Sequence, residues 1–73
     1  MSAEVESHVW RGVRFAIVRV ERYPAGSPFR YQLTWGEWPT GVYPRRTKYG
    51  VKCNARTVYA LRKALFHFLG WRP

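Results

Sequence analysis

The chain has 73 residues, enough for one small domain with a modest core. Aromatic residues make up 18% of it, and they bury large areas for so short a chain.

A single cysteine, Cys53, excludes an internal disulfide, and with two distant histidines it does not supply a metal site. We expect Cys53 to be a half-buried hydrophobe rather than a reactive thiol. No apolar run is long enough to cross a membrane and residues 1–8 lack the basic-then-apolar order of a signal peptide, so a cytoplasmic location is expected.

The charge is distributed unevenly along the chain. The net charge is +9, from ten Arg and three Lys against four Glu. Residues 1–37 carry five basic and four acidic side chains, whereas residues 38–73 carry eight basic side chains and no acid. Such a basic half attracts nucleic acid or an acidic protein surface. Because the chain has no Asp and all its Glu lie in the first half, acid–base and nucleophile pairs are missing. We therefore expect no enzymatic activity and no cofactor.

The first part of the chain predicts an arm and a strand. Residues 1–8 are polar and predict a flexible N-terminal arm, followed by a single domain over residues 9–73. Residues 9–22 are rich in Val, Ile, Phe and Trp and predict a strand. Both faces of this strand are partly apolar, which favours a central position in the sheet. Gly12 within it predicts a bulge or a close backbone approach. Residues 23–28 contain two prolines and a glycine and predict a loop.

Further strands are predicted in the middle of the chain. Strict alternation over residues 29–35 predicts a half-buried strand that pairs antiparallel with the first. Residues 38–43 predict a short edge strand, since prolines flank or interrupt it. Residues 51–53 predict a last extended piece.

The end of the chain predicts a helix over residues 54–69, with Asn54 as N-cap and Gly70 at the C′ position. Its apolar stripe is needed for the core of so small a domain, so a membrane surface is not an expected partner. The expected fold is α+β, with a two- to three-stranded antiparallel sheet packed against one C-terminal helix. The expected core residues are Val13, Phe15, Ile17, Tyr31, Leu33, Trp35, Val58, Leu61, Leu65 and Phe68.

The most basic stretch is residues 41–56, GVYPRRTKYGVKCNAR, which holds five cations, two tyrosines and no acid. It predicts a mobile basic loop that runs into the helix. Its cations would neutralise phosphates or meet an acidic surface, and its tyrosines would stack on unpaired bases. The candidate contact residues are Arg45, Arg46, Lys48, Lys52, Arg56, Tyr43 and Tyr49.

A first resemblance concerns DNA-binding domains. WRGVR, at residues 10–14, resembles the Tyr-Arg-Gly-Val-Arg opening of plant AP2-type domains, and TVYALRKALFHFLG is similar to their Ala-rich helix. The order of strands followed by one helix also resembles integrase arm-binding domains. In the AP2 class a Trp-bearing segment follows the opening closely, whereas Trp35 and Trp38 come only after a long hairpin. The resemblance implies a double-stranded DNA-binding domain of the sheet-plus-helix type, which is the alternative function.

A second resemblance concerns the chain as a whole. In length, basic charge and Trp and Arg content it resembles the small bacteriophage inhibitors of host RNA polymerase of the Xanthomonas phage type. This implies a non-catalytic transcription regulator that binds bacterial RNA polymerase near the RNA exit channel, at the β′ N-terminus and β flap. It also implies inhibited initiation, antitermination and a host-cytoplasmic location. Val5, Val9 and Trp10 are the expected protein contacts, and the free protein is expected to be a monomer. A third hypothesis is an inhibitor of another nucleic-acid enzyme.

Overall fold

The computed structural model describes residues 2–21, 23–36 and 42–69. In them a four-stranded antiparallel sheet packs against one C-terminal helix, which confirms the expected α+β fold with a larger sheet than predicted. The strands lie side by side in chain order, and no helix in the described ranges is long and apolar enough to cross a membrane. The elements are β1 (Ser2–Trp10), β2 (Val13–Val20), β3 (Tyr31–Trp35), β4 (Asn54–Ala55) and α1 (Val58–Leu69).

The expected flexible arm over residues 1–8 is wrong for residues 2–8, which belong to β1. This strand pairs antiparallel with β2 along its whole length. Arg11 and Gly12 join the two strands and have positive φ angles of 47° and 77°. Positive φ at both central residues is the geometry of a type I′ turn, whose twist matches that of a hairpin. The single strand predicted over residues 9–22 is therefore divided between the end of β1 and β2. Gly12 lies in the turn between them and does not form a bulge.

A β-bulge in β1 sends its two acids to opposite faces of the sheet. The register with β2 shifts between Glu4 and Glu6. Glu4 forms an ion pair with Arg14, on the face away from the helix. Glu6 lies on the helix face, where Arg62 Nε donates to its Oε2 at 3.0 Å and His8 Nε2 lies 2.7 Å away. Residues that seemed to mark a solvated arm thus fasten β1 to the rest of the fold.

The Glu6–Arg62 contact predicts a pH dependence of stability. The hydrogen bond from Arg62 lowers the pKa of Glu6 from 4.5 to about 2, with His8 adding a smaller effect in the same direction and burial opposing both. A depressed folded-state pKa stabilises the fold above the unfolded-state value, and this contribution is lost as the pH falls from about 4.5 towards 2.

We expect the wild type to lose on the order of 1 kcal/mol more than Glu6→Gln when the pH is lowered from about 7 to about 3. Chemical denaturation of both proteins at the two pH values measures this difference. An equal loss in both proteins would show that Glu6 does not carry the dependence.

The predicted strands in the middle of the chain have different outcomes. The strand at 29–35 is confirmed as β3, which pairs antiparallel with β2 and is two residues shorter at its start. The edge strand at 38–43 is wrong for Val42 and Tyr43, which lie in no strand, and the rest of it lies outside the described residues. The extended piece at 51–53 leads directly into β4.

The helix begins later than predicted, and its N-cap is Thr57 rather than Asn54. Asn54 belongs to β4, where its backbone faces β3. Thr57 Oγ1 accepts a hydrogen bond from Ala60 N at 3.2 Å, as an N-cap side chain does. Arg56, expected in the first helical turn, therefore precedes the helix. Gly70, expected at C′, lies outside the described residues.

The main core lies between α1 and the sheet. Leu61 and Leu65, one helical turn apart, are fully buried in the same cluster as Phe15, Ile17 and Leu33. Every residue predicted for the core lies in this cluster, although four are only half-buried at its rim: Val13, Tyr31, Val58 and Phe68. The prediction missed the buried residues that the basic segment contributes: Val51, Cys53 and Ala55.

The face of the sheet away from α1 is covered as well. Ala16, Val18 and Val20 form a second buried cluster, against which Tyr23 and Tyr43 pack. This explains the apolar character of both faces of β2, and the strand lies between β1 and β3 as its pattern predicted. The sheet is thus buried on two sides at its centre.

Candidate nucleic-acid interface

The basic segment forms a hairpin held by hydrogen bonds, which corrects the expectation of a mobile loop. Arg46 and Lys52 form an antiparallel bridge, and Thr47 N donates to Val51 O at 2.8 Å. The side chain of Thr47 is buried, and its hydroxyl accepts hydrogen bonds from Tyr49 N at 3.1 Å and Val51 N at 3.2 Å. A threonine hydroxyl that satisfies two backbone donors fixes the turn.

Asn54 fastens this hairpin to the sheet. Its amide nitrogen donates to Pro44 O at 2.6 Å, and its Oδ1 lies 3.2 Å from the hydroxyl of Tyr23. A further backbone bond runs from Cys53 N to Arg45 O at 3.2 Å. The side chain that suggested a helix cap thus holds the start of the basic hairpin beside β4, so the cations project from a fixed backbone.

Three cations surround an open groove at this edge of the sheet. The groove has a volume of about 640 Å³, and its lining residues are Phe29, Arg45, Arg46, Lys52 and Asn54. All three cationic side chains are exposed. No carboxylate in the described part of the chain forms an ion pair with any of them. The groove is therefore positively charged and accessible to an anion.

Arg46 and Lys52 lie directly opposite each other in the bridge. Like charges in opposite positions of an antiparallel pair destabilise that pair. Arg46 Nη1 donates to Gly50 O at 2.9 Å, and the remaining guanidinium donors are available to a ligand. An anion bound between the two side chains would relieve their repulsion.

The two tyrosines expected to stack on bases contact other rings of the protein. Tyr43 lies 4.5 Å from Tyr23, measured between ring centroids. Tyr49 packs edge-on against Trp10 at 5.7 Å and lies 6.5 Å from Phe68. Both tyrosines are half-buried. The aromatic residue in the lining of the groove is Phe29, for which the sequence pattern predicted only a strand.

Two of the predicted cations lie away from the groove. The Nζ atom of Lys48 is 5.0 Å from the ring centroid of Tyr49, a cation–π contact. Arg56 is exposed between β4 and α1. On the solvent side of α1, Tyr59 is 66% exposed and Lys63 follows it one turn later.

The residues expected to contact a protein partner lie on β1. Val5 and Val9 are 49% and 72% exposed. Trp10 is half-buried, and its ring packs against Tyr49 and Phe68 at centroid distances of 5.7 and 5.2 Å. The two valines are thus open to a partner, whereas Trp10 belongs to the rim of the core.

The two acids of β1 lie at the edge of the sheet opposite the groove. Glu4 and Glu6 are on β1, and the groove adjoins β4 at the other end of the strand order. Three interstrand spacings of about 4.8 Å separate the two edge strands by roughly 14 Å. This separation leaves the positive potential of the groove largely intact, so that an approaching anion is steered towards it.

The sheet face away from α1 is closed at its centre. Gln32 and Thr34 of β3 are buried there beside Ala16 and Val18 of β2. Gln32 Nε2 donates to Val42 O, which places Val42 over this face. The sheet face away from α1 therefore has no exposed side chains at these positions for contact with a ligand.

Cys53 lies in the core and is fully buried. Burial raises the pKa of its thiol to about 11. A thiol that stays protonated at neutral pH is a poor nucleophile, so Cys53 acts as a packing residue. Among the described residues, no group of three or more His, Cys, Asp or Glu side chains is placed to hold a metal ion.

Comparisons of the chain with protein-family models, with curated proteins and with solved structures find no match. The function is therefore inferred from the chemistry of the groove. Its three defining properties are a fixed backbone, exposed cations that no described carboxylate neutralises, and an aromatic ring in the lining.

Proposed function

We propose that this protein is a small non-catalytic nucleic-acid-binding protein that holds phosphates in the groove formed by Arg45, Arg46 and Lys52. The observation that supports this most strongly is that these exposed cations share one hydrogen-bonded hairpin, without a carboxylate partner among the described residues. Cations that neutralise phosphates release condensed counterions, which supplies affinity whatever the base sequence. Two arginines add planar donor groups that match phosphate oxygens.

The aromatic lining favours a single-stranded ligand. Phe29 is half-buried, its ring centroid lies 6.1 Å from that of Tyr23, and the residue lines the groove. Stacking on such a ring requires an unpaired base. The buried centre of the sheet face also disfavours the double-stranded DNA-binding alternative. RNA and DNA single strands share the phosphates and bases on which this proposal depends.

Fluorescence anisotropy with a labelled single-stranded RNA and with duplex DNA of the same sequence tests the proposal. We expect tighter binding of the single strand. We also expect the logarithm of the affinity to fall linearly with the logarithm of salt concentration, with a slope of about −2 for three contacted phosphates. Binding that does not respond to salt, or that prefers the duplex, would contradict the proposal.

The contribution of Phe29 is separable from that of charge. We expect Phe29→Leu, which keeps an apolar side chain in the groove, to weaken single-strand binding by roughly 1–3 kcal/mol. The salt dependence should stay unchanged, because no charge is removed. Tyr59→Leu is the matched control, since Tyr59 is an exposed aromatic residue outside the groove. Equal losses in the two variants would show that binding is not located at Phe29.

A second candidate function is regulation of bacterial RNA polymerase near the RNA exit channel, at the β′ N-terminus and β flap. In this proposal the protein inhibits initiation and promotes antitermination. It is favoured by the exposure of Val5 and Val9 at the edge opposite the groove, since one edge could hold protein while the other holds emerging RNA. Recovery of RNA polymerase from nuclease-treated bacterial lysate would support it. Loss of the polymerase after nuclease treatment would contradict it and leave direct nucleic-acid binding.

A further inference from the structure

The outer edge of β1 is suited to receive another strand. β1 lies at the end of the strand order, and in the described residues no strand lies beyond it. It is nine residues long and carries the two exposed valines, Val5 and Val9. A long edge with apolar side chains and unpaired backbone groups is a template for strand pairing.

The direction of the backbone groups follows from the pairing of β2. Arg14 O and Val20 N both bond towards β3, each at 3.0 Å. Because bonding direction alternates along an antiparallel strand, even-numbered residues of β2 bond to β3 and odd-numbered ones bond to β1. Ser7 and Val9 therefore direct their N–H and C=O groups away from the sheet. The β1 residues opposite the odd-numbered positions, which bond inwards, are Ala3, Glu6, His8 and Trp10.

Residues 5–9, Val-Glu-Ser-His-Val, are complementary to themselves in the antiparallel direction. When Ser7 of one copy lies opposite Ser7 of another, each Val5 faces a Val9 and each Glu6 faces a His8. A register shifted to Glu6 would instead place two carboxylates opposite each other, which is destabilising. The register about Ser7 is also the one in which the outward backbone groups of Ser7 pair reciprocally.

We propose that β1 pairs with β1 of a second copy of this chain, antiparallel about Ser7, so that the two four-stranded sheets become one. The pairing places the exposed valines beside the partner strand and pairs the outward backbone groups of Ser7, while Glu6 keeps its contact with Arg62 in each copy. The dimer replaces the monomer that the sequence reading expected. It does not depend on the nucleic-acid function, and the two basic grooves lie at the far edges of the joined sheet.

Cysteine cross-linking locates this interface. Residues directly opposite in a hydrogen-bonded antiparallel pair have Cα atoms about 5.5 Å apart, which a disulfide can span. Under oxidising conditions we expect Ser7→Cys to form a disulfide-linked species of twice the 8.7 kDa chain mass. The buried Cys53 does not compete for oxidation. Val42→Cys, at an exposed valine outside β1, is the control and should not form the disulfide-linked species.

Sedimentation equilibrium tests the same contact without a cross-link. In the wild type the dimer fraction should rise with protein concentration. Ser7→Pro removes an outward N–H and no bond to β2, so it should give a monomer with an unchanged circular dichroism spectrum. A wild type that stays monomeric at every concentration would overturn the proposal. Cross-linking of Val42→Cys as fast as that of Ser7→Cys would overturn it too.

Discussion

The combined substitution Arg45→Gln, Arg46→Gln and Lys52→Gln is expected to weaken binding of single-stranded RNA by on the order of a hundredfold at low salt. Glutamine keeps polarity and much of the side-chain length but cannot displace counterions from phosphates. The slope of log affinity against log salt should become shallower by about 2. Salt-titrated fluorescence anisotropy measures both effects.

This loss should occur without loss of the fold. Arg46 and Lys52 repel each other across the bridge. Neutralising them should therefore leave the free energy of unfolding unchanged or raise it by at most about 1 kcal/mol. The matched control removes three exposed cations elsewhere: Arg11→Gln, Arg19→Gln and Lys63→Gln. It lowers the net charge equally but should weaken binding only a few-fold, because distant charges are screened within about 10 Å. Equal losses in both triple variants would indicate diffuse attraction instead of a site.

Leu65→Ala is expected to lower the free energy of unfolding by about 2–5 kcal/mol. Leu65 is fully buried between α1 and the sheet, and its truncation leaves a cavity that the neighbouring side chains fill only in part. Stability is only about 0.05–0.15 kcal/mol per residue, so in so short a chain this loss is a large fraction of the total. Urea denaturation followed by circular dichroism measures the change.

Tyr59→Ala on the same helix is the control for this prediction, because Tyr59 is 66% exposed. Its effect should lie within about 0.5 kcal/mol. If Leu65→Ala proved no more destabilising than Tyr59→Ala, the packing of α1 on the sheet would be wrong.

The predictable parts of the fold are those with strong local periodicity. The alternation through Leu33 and Trp35 indicated β3, and the four-residue spacing of Leu61 and Leu65 indicated the helix face. β1 was not predictable in this way, because its pairing depends on contacts distant in sequence. The bond between Glu6 and Arg62 spans 56 positions, and a polar stretch gives no local sign of it.

For the candidate site, composition predicted some of the residues, and others depend on contacts distant in sequence. The run of cations drew attention to Arg45, Arg46 and Lys52, which the bridge and turn bring together at one groove. Phe29 joins them only because Arg30 N bonds to Ala55 O at 3.1 Å, which sets the start of β3 beside β4. Composition also could not show that Tyr43 contacts Tyr23 rather than solvent.

The most direct test of the central proposal is an amide-resolved NMR titration of the protein with a short single-stranded RNA. Binding in the groove predicts shifts concentrated at residues 29–30 and 45–54, with β1 and the outer side of α1 little changed. Shifts concentrated on β1 or around Tyr59, or no shifts at concentrations where labelled RNA is bound, would contradict a phosphate-binding site formed by Arg45, Arg46 and Lys52.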